Sequence, residues 1–159
     1  MFLTEQYRNA LAVGHRVPKD LLVGNTTGEF MVPDSDGKPY PEGERGNVEM
    51  IGVWESGGGA EPYRYRFDVD MPGDDAGAFH SSDLWFSFGT LPASWRPFQG
   101  WHYDLSRVMI RYWTNFAATG DPNGFGLPEW KTCGPNGQRY MLFGGGRETP
   151  DSVSCGMVG

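Results

Sequence analysis

The sequence contains little cysteine and no long apolar run. Only Cys133 and Cys155 occur among its 159 residues, too few for the disulfide framework of a small secreted domain, so reduced thiols are expected. No stretch approaches the roughly 18 consecutive apolar residues of a membrane span. The opening MFLTEQYRN also lacks the basic start and long apolar segment of an export signal. These absences predict a soluble, cytoplasmic chain with no membrane partner.

Basic residues are in deficit as well. Lysine and arginine number 13 against 20 aspartates and glutamates, which gives a formal net charge of -7. A negative chain is repelled by phosphate backbones and by anionic membrane surfaces, and no basic cluster offsets the repulsion. The charge balance therefore argues against nucleic acid as a partner.

Glycine, proline and aromatic residues are abundant instead. The 24 glycines and 12 prolines predict many turns. The 10 phenylalanines, 7 tyrosines and 6 tryptophans argue against disorder, because burial of large apolar side chains offsets the entropy lost on ordering. Single domains usually hold about 100–200 residues. We therefore expect residues 1–159 to form one domain with one core.

Two segments have strand patterns. In DLLVGNTTGEF, the apolar run at residues 21–23 ends at Gly24, as in a short strand buried on both faces. In YRYRFDVD, apolar and polar side chains alternate, which predicts a strand with one face on the core and the other in solvent. The apolar set is Tyr63, Tyr65, Phe67 and Val69, and the polar set is Arg64, Arg66, Asp68 and Asp70.

One segment has a clear helix pattern. Apolar side chains recur at spacings of three and four in DLSRVMIRYWTNFAATG, which predicts a helix packed on the sheet. Asp104 is the expected N-terminal cap and Gly120 the expected stop. RYMLFGG predicts a last strand. Turn-forming and charged residues at 33–46 predict an exposed segment at the surface. Residues 30–62 lack an amphipathic stripe. The order of elements predicts the α/β class.

A carboxylate and a histidine follow the two predicted strands. Glu29 lies in the loop after the first strand, and His80 lies in the loop after the second. Ligands gather at the carboxyl ends of parallel strands, so both side chains are expected at one edge of the sheet. A lone histidine in a turn is more often structural than catalytic, and the residues alone leave its role open.

Two long motifs point to a family. AGAFHSSDLWFSFGTL and LSRVMIRYWTNFAATGDPNGFGLPEW, within residues 62–131, resemble the C-terminal end of the type-B carboxylesterases, α/β-hydrolases that include bacterial para-nitrobenzyl esterases and cholinesterases. The resemblance implies a C-terminal fragment of an α/β-hydrolase fold, a single partial domain with a short, mostly parallel sheet and packed helices. It also implies hydrolysis of carboxylic esters without a cofactor.

The same resemblance implies roles for two residues. The family's GAxH turn carries the triad histidine, which corresponds to His80. DLLVGNTTGEF resembles the segment that leads to the acidic triad member, which corresponds to Glu29. The histidine would take the proton of a serine hydroxyl and return it to the leaving alcohol, and the carboxylate would accept the other ring N–H. The passage between the two residues is shorter than usual in the family. The substitutes for the acid are therefore Asp34, Asp36, Asp74 and Asp75.

The serine nucleophile has no counterpart in these 159 residues. The family places it in a G-x-S-x-G elbow before the acid, and no such pentapeptide occurs. In WESGGG, Ser56 has Trp54 where the first glycine should be and follows the acid instead of preceding it. The three glycines of WESGGG resemble an oxyanion loop that also belongs upstream. We therefore expect the chain alone to be inactive, with a small carboxylic ester as substrate once an upstream segment completes the site.

Other motifs carry less. Asp34 and Asp36 in DSDG fall short of a calcium loop, and no zinc spacing links His15, His80 and His102. No metal is predicted. The aromatic residues that follow His80 either line an acyl pocket or pack a helix, and packing is favoured; these are Trp85, Phe86 and Phe88.

Two other functions compete with the esterase interpretation. α/β-Hydrolase relatives without a working triad serve as non-catalytic interaction modules, and aromatic-rich, glycine-rich chains also occur as carbohydrate-binding domains. The acid and histidine favour an esterase origin over both. If sheet is missing beside DLLVG, that strand offers an apolar edge, which predicts self-association.

Overall fold

The computed structural model describes residues 9–10, 20–145 and 153–157, the last range as backbone alone. His15 and the Cys155 side chain lie outside the described residues. In chain order the elements are strands β1 (Leu22–Thr26), β2 (Met31–Pro33) and β3 (Pro39–Pro41), helix α1 (Glu42–Ser56), strand β4 (Tyr63–Asp68), helices α2 (Leu84–Ser87) and α3 (Gly100–Thr119), and strands β5 (Arg139–Gly144) and β6 (Val153–Met157). Short 3-10 turns lie at Leu91–Ala93 and Pro135–Gly137.

The main sheet has the strand order β1-β4-β5-β6. Strand β4 pairs in parallel with both β1 and β5, and β6 returns antiparallel to β5. Strands β2 and β3 form a separate antiparallel hairpin. A mostly parallel sheet with packed helices confirms the predicted α/β class.

One face of the sheet packs on α3 through aromatic rings. Phe67 of β4 and Phe143 of β5 are fully buried with Met109 and Tyr112 of α3 and with Trp130. Most of the ring pairs meet edge to face at centroid distances between 5 and 6.5 Å, a geometry that adds about 0.5–1.5 kcal/mol per pair to area burial. The rings of this aromatic cluster belong to Tyr63, Tyr65, Tyr112, Trp113, Trp130 and Phe143.

The other face of β4 is covered at Arg64 and half-buried at Arg66 and Asp68, which corrects in part the prediction that it meets solvent. Arg64 is 0% exposed. Its guanidinium donates to the Glu44 carboxylate of α1 at 2.6 Å and to the carbonyl of Gly137. Arg66 lies 3.2 Å from the second oxygen of Glu44. Because α1 covers Arg64, this guanidinium needs an ionic partner instead of water.

Helix α1 also corrects the prediction for residues 33–46. The hairpin β2–β3 occupies the first part of that range, but the helix begins at Glu42 and runs to Ser56. The sequence concealed it because the buried positions of α1 are a glutamate, an isoleucine and a tryptophan, Glu44, Ile51 and Trp54. A stripe that mixes an acid with apolar residues has a weak helical signature.

The long helix α3 begins earlier than predicted. Its first residue is Gly100, and the backbone N–H of Gln99 donates to Nδ1 of His102 at 2.9 Å. Asp104 therefore lies inside the helix, where it pairs with Arg107. The predicted stop is confirmed, because Gly120 adopts a φ of 80° and its N–H donates to the Phe116 carbonyl.

Strand β1 continues two residues past the predicted end, to Thr26. Its apolar residues are half-buried, and the buried positions are Asn25 and Thr26. Gly24 lies opposite Tyr65 in the register, where a Cβ would lie 2.1 Å from the tyrosine ring. Gly24 therefore does not end the strand. Its lack of a side chain leaves room for the Tyr65 ring over β1.

Two observations bear on the predictions of a reduced thiol and of no membrane span. Cys133 is a free and fully buried thiol, and burial, with the charges of Glu55 and Glu61, raises its pKa to about 11. Among the described residues, no helix has both the length and the apolar character that crossing a bilayer requires.

The buried ion pairs give a testable prediction. Glu44→Gln removes the carboxylate that neutralises Arg64 and Arg66, so we expect it to lower the free energy of unfolding by about 3–5 kcal/mol. Urea denaturation followed by circular dichroism measures this. The control is Glu42→Gln, an exposed carboxylate in the same helical turn, which should cost less than about 1 kcal/mol. Equal effects of the two substitutions would contradict the prediction.

Candidate active site

The carboxyl ends of β1 and β4 meet at one edge of the sheet. Beyond the paired strands, an isolated parallel bridge joins Gly28 to Phe79. In this bridge the N–H of Gly28 donates to the carbonyl of Ala78 at 2.9 Å. Glu29 and His80 each follow a bridge residue, so the register of the two strands brings them side by side.

The Glu29 carboxylate is held by its own turn. The backbone N–H of Thr26 donates to Oε1 at 3.1 Å, and the Glu29 side chain is 15% exposed. The turn itself is tied to β4, because Thr27 donates through its N–H to the Phe67 carbonyl and through its hydroxyl to Asp68. The carboxylate therefore has a fixed position relative to the end of β4.

The His80 imidazole faces this carboxylate. Nδ1 of His80 lies 3.7 Å from Oε1 of Glu29, within ion-pair range and beyond hydrogen-bond range. The side chain is 59% exposed, and the ring of Phe30 lies against it with centroids 5.3 Å apart. Nδ1 is thus the ring nitrogen that faces the acid.

A tight turn presents His80 at the edge. Ser81 adopts a φ of 68°, which is uncommon for a residue with a side chain and marks local strain. Hydrogen bonds close the turn on both sides of it, from the N–H of Ser82 to the Phe79 carbonyl and from that of Leu84 to the Ser81 carbonyl. The histidine lies at the tip of this closed turn.

The other predicted acids are engaged elsewhere or remain apart from the histidine. Asp34 accepts the N–H groups of Asp36 and Lys38 in the β2–β3 hairpin. Asp74 forms a bidentate pair with Arg96. The ion pair of His80 is with Glu29 and includes none of the four substitutes, Asp34, Asp36, Asp74 and Asp75.

A buried carboxyl beside the site was missed in the sequence. Asp83 is 8% exposed and accepts the Tyr65 hydroxyl at 2.8 Å. Burial raises the pKa of Asp83, although the hydrogen bond from Tyr65 opposes the rise. Burial likewise raises the pKa of Tyr65, and the Asp83 charge adds to it. The only sequence signal for Asp83 was its position three residues after His80, which is equally typical of a helix cap.

Ser56 is not brought to the histidine. It is the last residue of α1, and its hydroxyl donates to the Val53 carbonyl at 2.9 Å. The first turn of α1 lies at Glu29, and the helix extends about 20 Å from there to Ser56 at 1.5 Å per residue. The glycines that follow belong to the connection into β4, where Gly59 packs on the Trp54 ring.

The aromatic residues after His80 divide between core and surface. Phe86 is fully buried and packs edge to face on Phe67 at 5.0 Å. Trp85 contacts Phe79 and Phe98, whereas Phe88 is 73% exposed. Packing of α2 thus accounts for Phe86, and Phe30 is the aromatic ring in contact with the imidazole.

The acidic and histidine side chains of the described residues do not converge as metal ligands do. Across residues 20–145, no group of three or more histidine, cysteine, aspartate or glutamate side chains is arranged to hold a metal ion. His102 is buried at the start of α3, where Trp101 stacks on its ring at 3.6 Å.

Known proteins resemble this chain in sequence over about half of its length. Chicken acetylcholinesterase is 38% identical over 92 residues, which cover 55% of this chain and 12% of the acetylcholinesterase. Dog carboxylesterase 5A is 43% identical over 95 residues, which cover 53% of this chain and 16% of the carboxylesterase. The chain thus spans less than a fifth of these relatives.

Solved structures share the fold. A PNB esterase superposes with a TM-score of 0.67 at 21% identity over 98% of this chain and 39% of its own. A carboxylesterase of Geobacillus stearothermophilus superposes with a TM-score of 0.55 at 26% identity over 72% of this chain and 23% of its own. These likenesses show an α/β-hydrolase fold, of which the chain spans a part.

The sequence model of the carboxylesterase family matches residues 46–154, more than two thirds of the chain. This match includes His80, while Glu29 precedes it. Together with the esterase fold and the ordered GAFH and YWTNF motifs, it means that the chain belongs to the carboxylesterase family.

Proposed function

We propose that this chain supplies the acid and the histidine of a Ser-Glu-His triad for carboxylic ester hydrolysis. The observation that carries the proposal is the approach of His80 Nδ1 to Glu29 Oε1, at 3.7 Å, on the shared carboxyl edge of β1 and β4. Family membership supports ester hydrolysis as the reaction class, and the order acid then histidine agrees with that of α/β-hydrolases.

In the proposed reaction His80 acts as the general base. Nε2 takes the proton of a serine hydroxyl while the serine oxygen attacks the ester carbonyl, and later returns that proton to the leaving alcohol. Glu29 accepts the Nδ1–H and stabilises the imidazolium. The two atoms must approach by about 0.8 Å to form a normal hydrogen bond, and such contacts commonly tighten in the reacting complex.

The nucleophile of this reaction comes from outside these 159 residues. They contain no G-x-S-x-G elbow, and Ser56 lies at the far end of α1 with its hydroxyl bonded to Val53. We therefore propose that a further segment of a carboxylesterase brings the serine to Nε2 of His80. The substrate class is a small carboxylic ester, which follows from the reaction and the family alone.

The loop before His80 is braced by Arg96. The Arg96 side chain is 6% exposed, and its guanidinium donates twice to Asp74 and once to the Pro72 carbonyl. The guanidinium also lies 5.2 Å from the ring centroid of Phe79, the residue before His80. We propose that this pairing holds the histidine turn in register with Glu29.

A second proposal concerns the outer edge of β1. In the described sheet, β1 is the terminal strand and pairs only with β4. An open strand edge pairs readily with another chain. We propose that this edge takes a further strand, supplied by a second copy when the chain is isolated.

The esterase proposal predicts an inactive isolated chain. The 159 residues should hydrolyse p-nitrophenyl acetate at the uncatalysed rate, and a fluorophosphonate probe should label no serine, as read by mass spectrometry of peptides. A label on Ser56 or on any other serine of the chain would refute the proposal.

Completion of the site should restore activity. In a chimera where residues 20–145 replace the equivalent part of the PNB esterase, His80→Ala should lower kcat by about 10⁴-fold or more, because the general base is lost. Ser56→Ala in the same chimera is the control and should leave kcat unchanged. An active His80→Ala chimera would contradict the assigned role.

The Arg96 brace predicts a pH-dependent stability. The hydrogen bonds from Arg96 lower the pKa of Asp74 below its ordinary value of 3.8, so the stabilisation is complete above that value and is lost as the pH falls through the folded-state pKa. Asp74→Asn should therefore lower the unfolding midpoint at pH 7, with a difference from the parent chain that disappears at acid pH. The adjacent exposed Asp75→Asn should change neither, and a constant difference at every pH would count against the brace.

The strand-edge proposal predicts a concentration-dependent mass. Light scattering of the isolated chain should give a weight-average mass that rises from monomer toward dimer as the concentration increases, because strand pairing between copies is bimolecular. A monomer mass that stays constant up to the highest soluble concentration would contradict pairing through β1.

A further inference from the structure

The first turn of α1 lies against the second oxygen of the Glu29 carboxylate. A Cβ placed on Gly43 would lie 2.3 Å from Oε2 and 3.2 Å from Cδ of Glu29. A carbon and an oxygen in contact need about 3.3 Å or more. The carboxylate therefore fills the space that a side chain at position 43 would need.

The two oxygens of this carboxylate have different neighbours. Oε1 accepts the Thr26 N–H and faces Nδ1 of His80, whereas Oε2 faces the bare backbone of Gly43. Rotation or withdrawal of the carboxylate would break the contact with Thr26 and turn Oε1 away from the imidazole. The surface at Gly43 thus limits where the acid can lie.

Helix α1 cannot easily move aside, because independent contacts fix it. Asn47 donates to Asn25 of β1 at 2.9 Å, and Glu44 pairs with the buried Arg64 of β4 at 2.6 Å. The N–H of Glu42 donates to the Phe30 carbonyl at 2.8 Å. With the helix held to both strands, a side chain at position 43 displaces the carboxylate, which is the mobile end of a flexible side chain.

We propose that Gly43 is a positioning residue for the triad acid. By lacking a side chain it leaves the space in which Oε2 lies, and so sets the direction in which Oε1 faces His80. This inference rests on the proposed function, because it assigns Gly43 a role in orienting Glu29 toward the imidazole.

The same helix supplies matched controls. Gly46 and Gly52 lie in α1 with no neighbouring heavy atom within 4 Å of an added Cβ. Alanine is a better helix former than glycine, so Gly46→Ala and Gly52→Ala should both raise the unfolding midpoint. Gly43→Ala has the same intrinsic gain but meets the carboxylate, and it also meets Cβ of Asn25 at 3.0 Å.

Nuclear magnetic resonance of the 159-residue chain tests the position of the carboxylate directly. The two signals are the ring ¹⁵N shifts of His80 at alkaline pH, which report the tautomer, and the amide proton shift of Thr26. An acceptor at Nδ1 favours the Nδ1–H tautomer. Glu29→Ala calibrates both signals for loss of the acid.

We expect Gly43→Ala to move both signals most of the way toward the Glu29→Ala values. Gly46→Ala should leave both at the values of the parent chain. Signals of Gly43→Ala that stay at the parent values, or move the other way, overturn the role of Gly43 while leaving the proposed triad pair intact. Signals of His80 and Thr26 that both ignore Glu29→Ala overturn the position of the carboxylate between these two groups, and with it the observation on which the proposed pair rests.

A double-mutant cycle tests the same contact through stability, even where Gly43→Ala is poorly folded. In the Glu29→Ala background the added methyl no longer meets a carboxylate and meets only Cβ of Asn25, so Gly43→Ala should change the unfolding midpoint more favourably than it does in the parent background. In the parent background the clash with the carboxylate adds to the contact with Asn25, so the same substitution should give the lower midpoint change of the two. Equal effects of Gly43→Ala in both backgrounds would overturn the inference, because the substitution would then act through Asn25 or the backbone.

Discussion

Parallel pairing of β1 with β4 is the constraint on which the site depends. Parallel strands end at the same edge of a sheet, so the loops that follow them bring distant parts of the chain together. The same topology requires the chain to cross back from the end of β1 to the start of β4. Helix α1 makes this return, so its first turn lies beside Glu29 and its last residue, Ser56, lies at the opposite edge. The neighbours of the acid therefore follow from strand direction.

The ionic contacts of Glu44 secure that return. Strand β4 has a strand on each side, and α1 covers its face at Arg64, so this arginine loses its water when the chain folds. Separating it from Glu44 would leave uncompensated charge in the interior, which is strongly unfavourable. The ion pair of Glu44 with Arg64 ties α1 to β4, and the desolvation of these two charges offsets much of their attraction. Gly43 precedes Glu44, so the same contact places it on the carboxylate.

Much of the fold was accessible from sequence, because periodicity reports burial. The alternation in YRYRFD and the stripe in α3 predicted β4 and α3, and the glycine after the stripe predicted the end of α3. Helix α1 was not predicted, because a buried acid interrupts its apolar stripe and because Gly43, Gly46 and Gly52 lower its helix propensity. The burial of Arg64 was not predicted either, because it follows from the position of α1, which covers this arginine.

In the candidate site, too, some features could be predicted from local sequence and others could not. The proximity of Glu29 and His80 could be predicted, because both follow strands and strand ends are readable in sequence. The burial of Asp83 beside Tyr65 and the contact of Gly43 with Glu29 could not, because each depends on a contact between elements that no local pattern records. Asp83 has the appearance of a helix cap, and Gly43 that of one more glycine in a turn-rich segment.

The aromatic cluster between the sheet and α3 gives this chain an intrinsic spectroscopic signal of its tertiary packing. Trp113 and Trp130, with ring centroids 5.9 Å apart, lie in an asymmetric setting together with Tyr65 and Phe143. Fixed aromatic packing gives near-ultraviolet circular dichroism, and this signal vanishes when packing loosens even if helices persist. Near- and far-ultraviolet spectra recorded on one sample can therefore separate a native interior from a collapsed but fluid one, with no label attached.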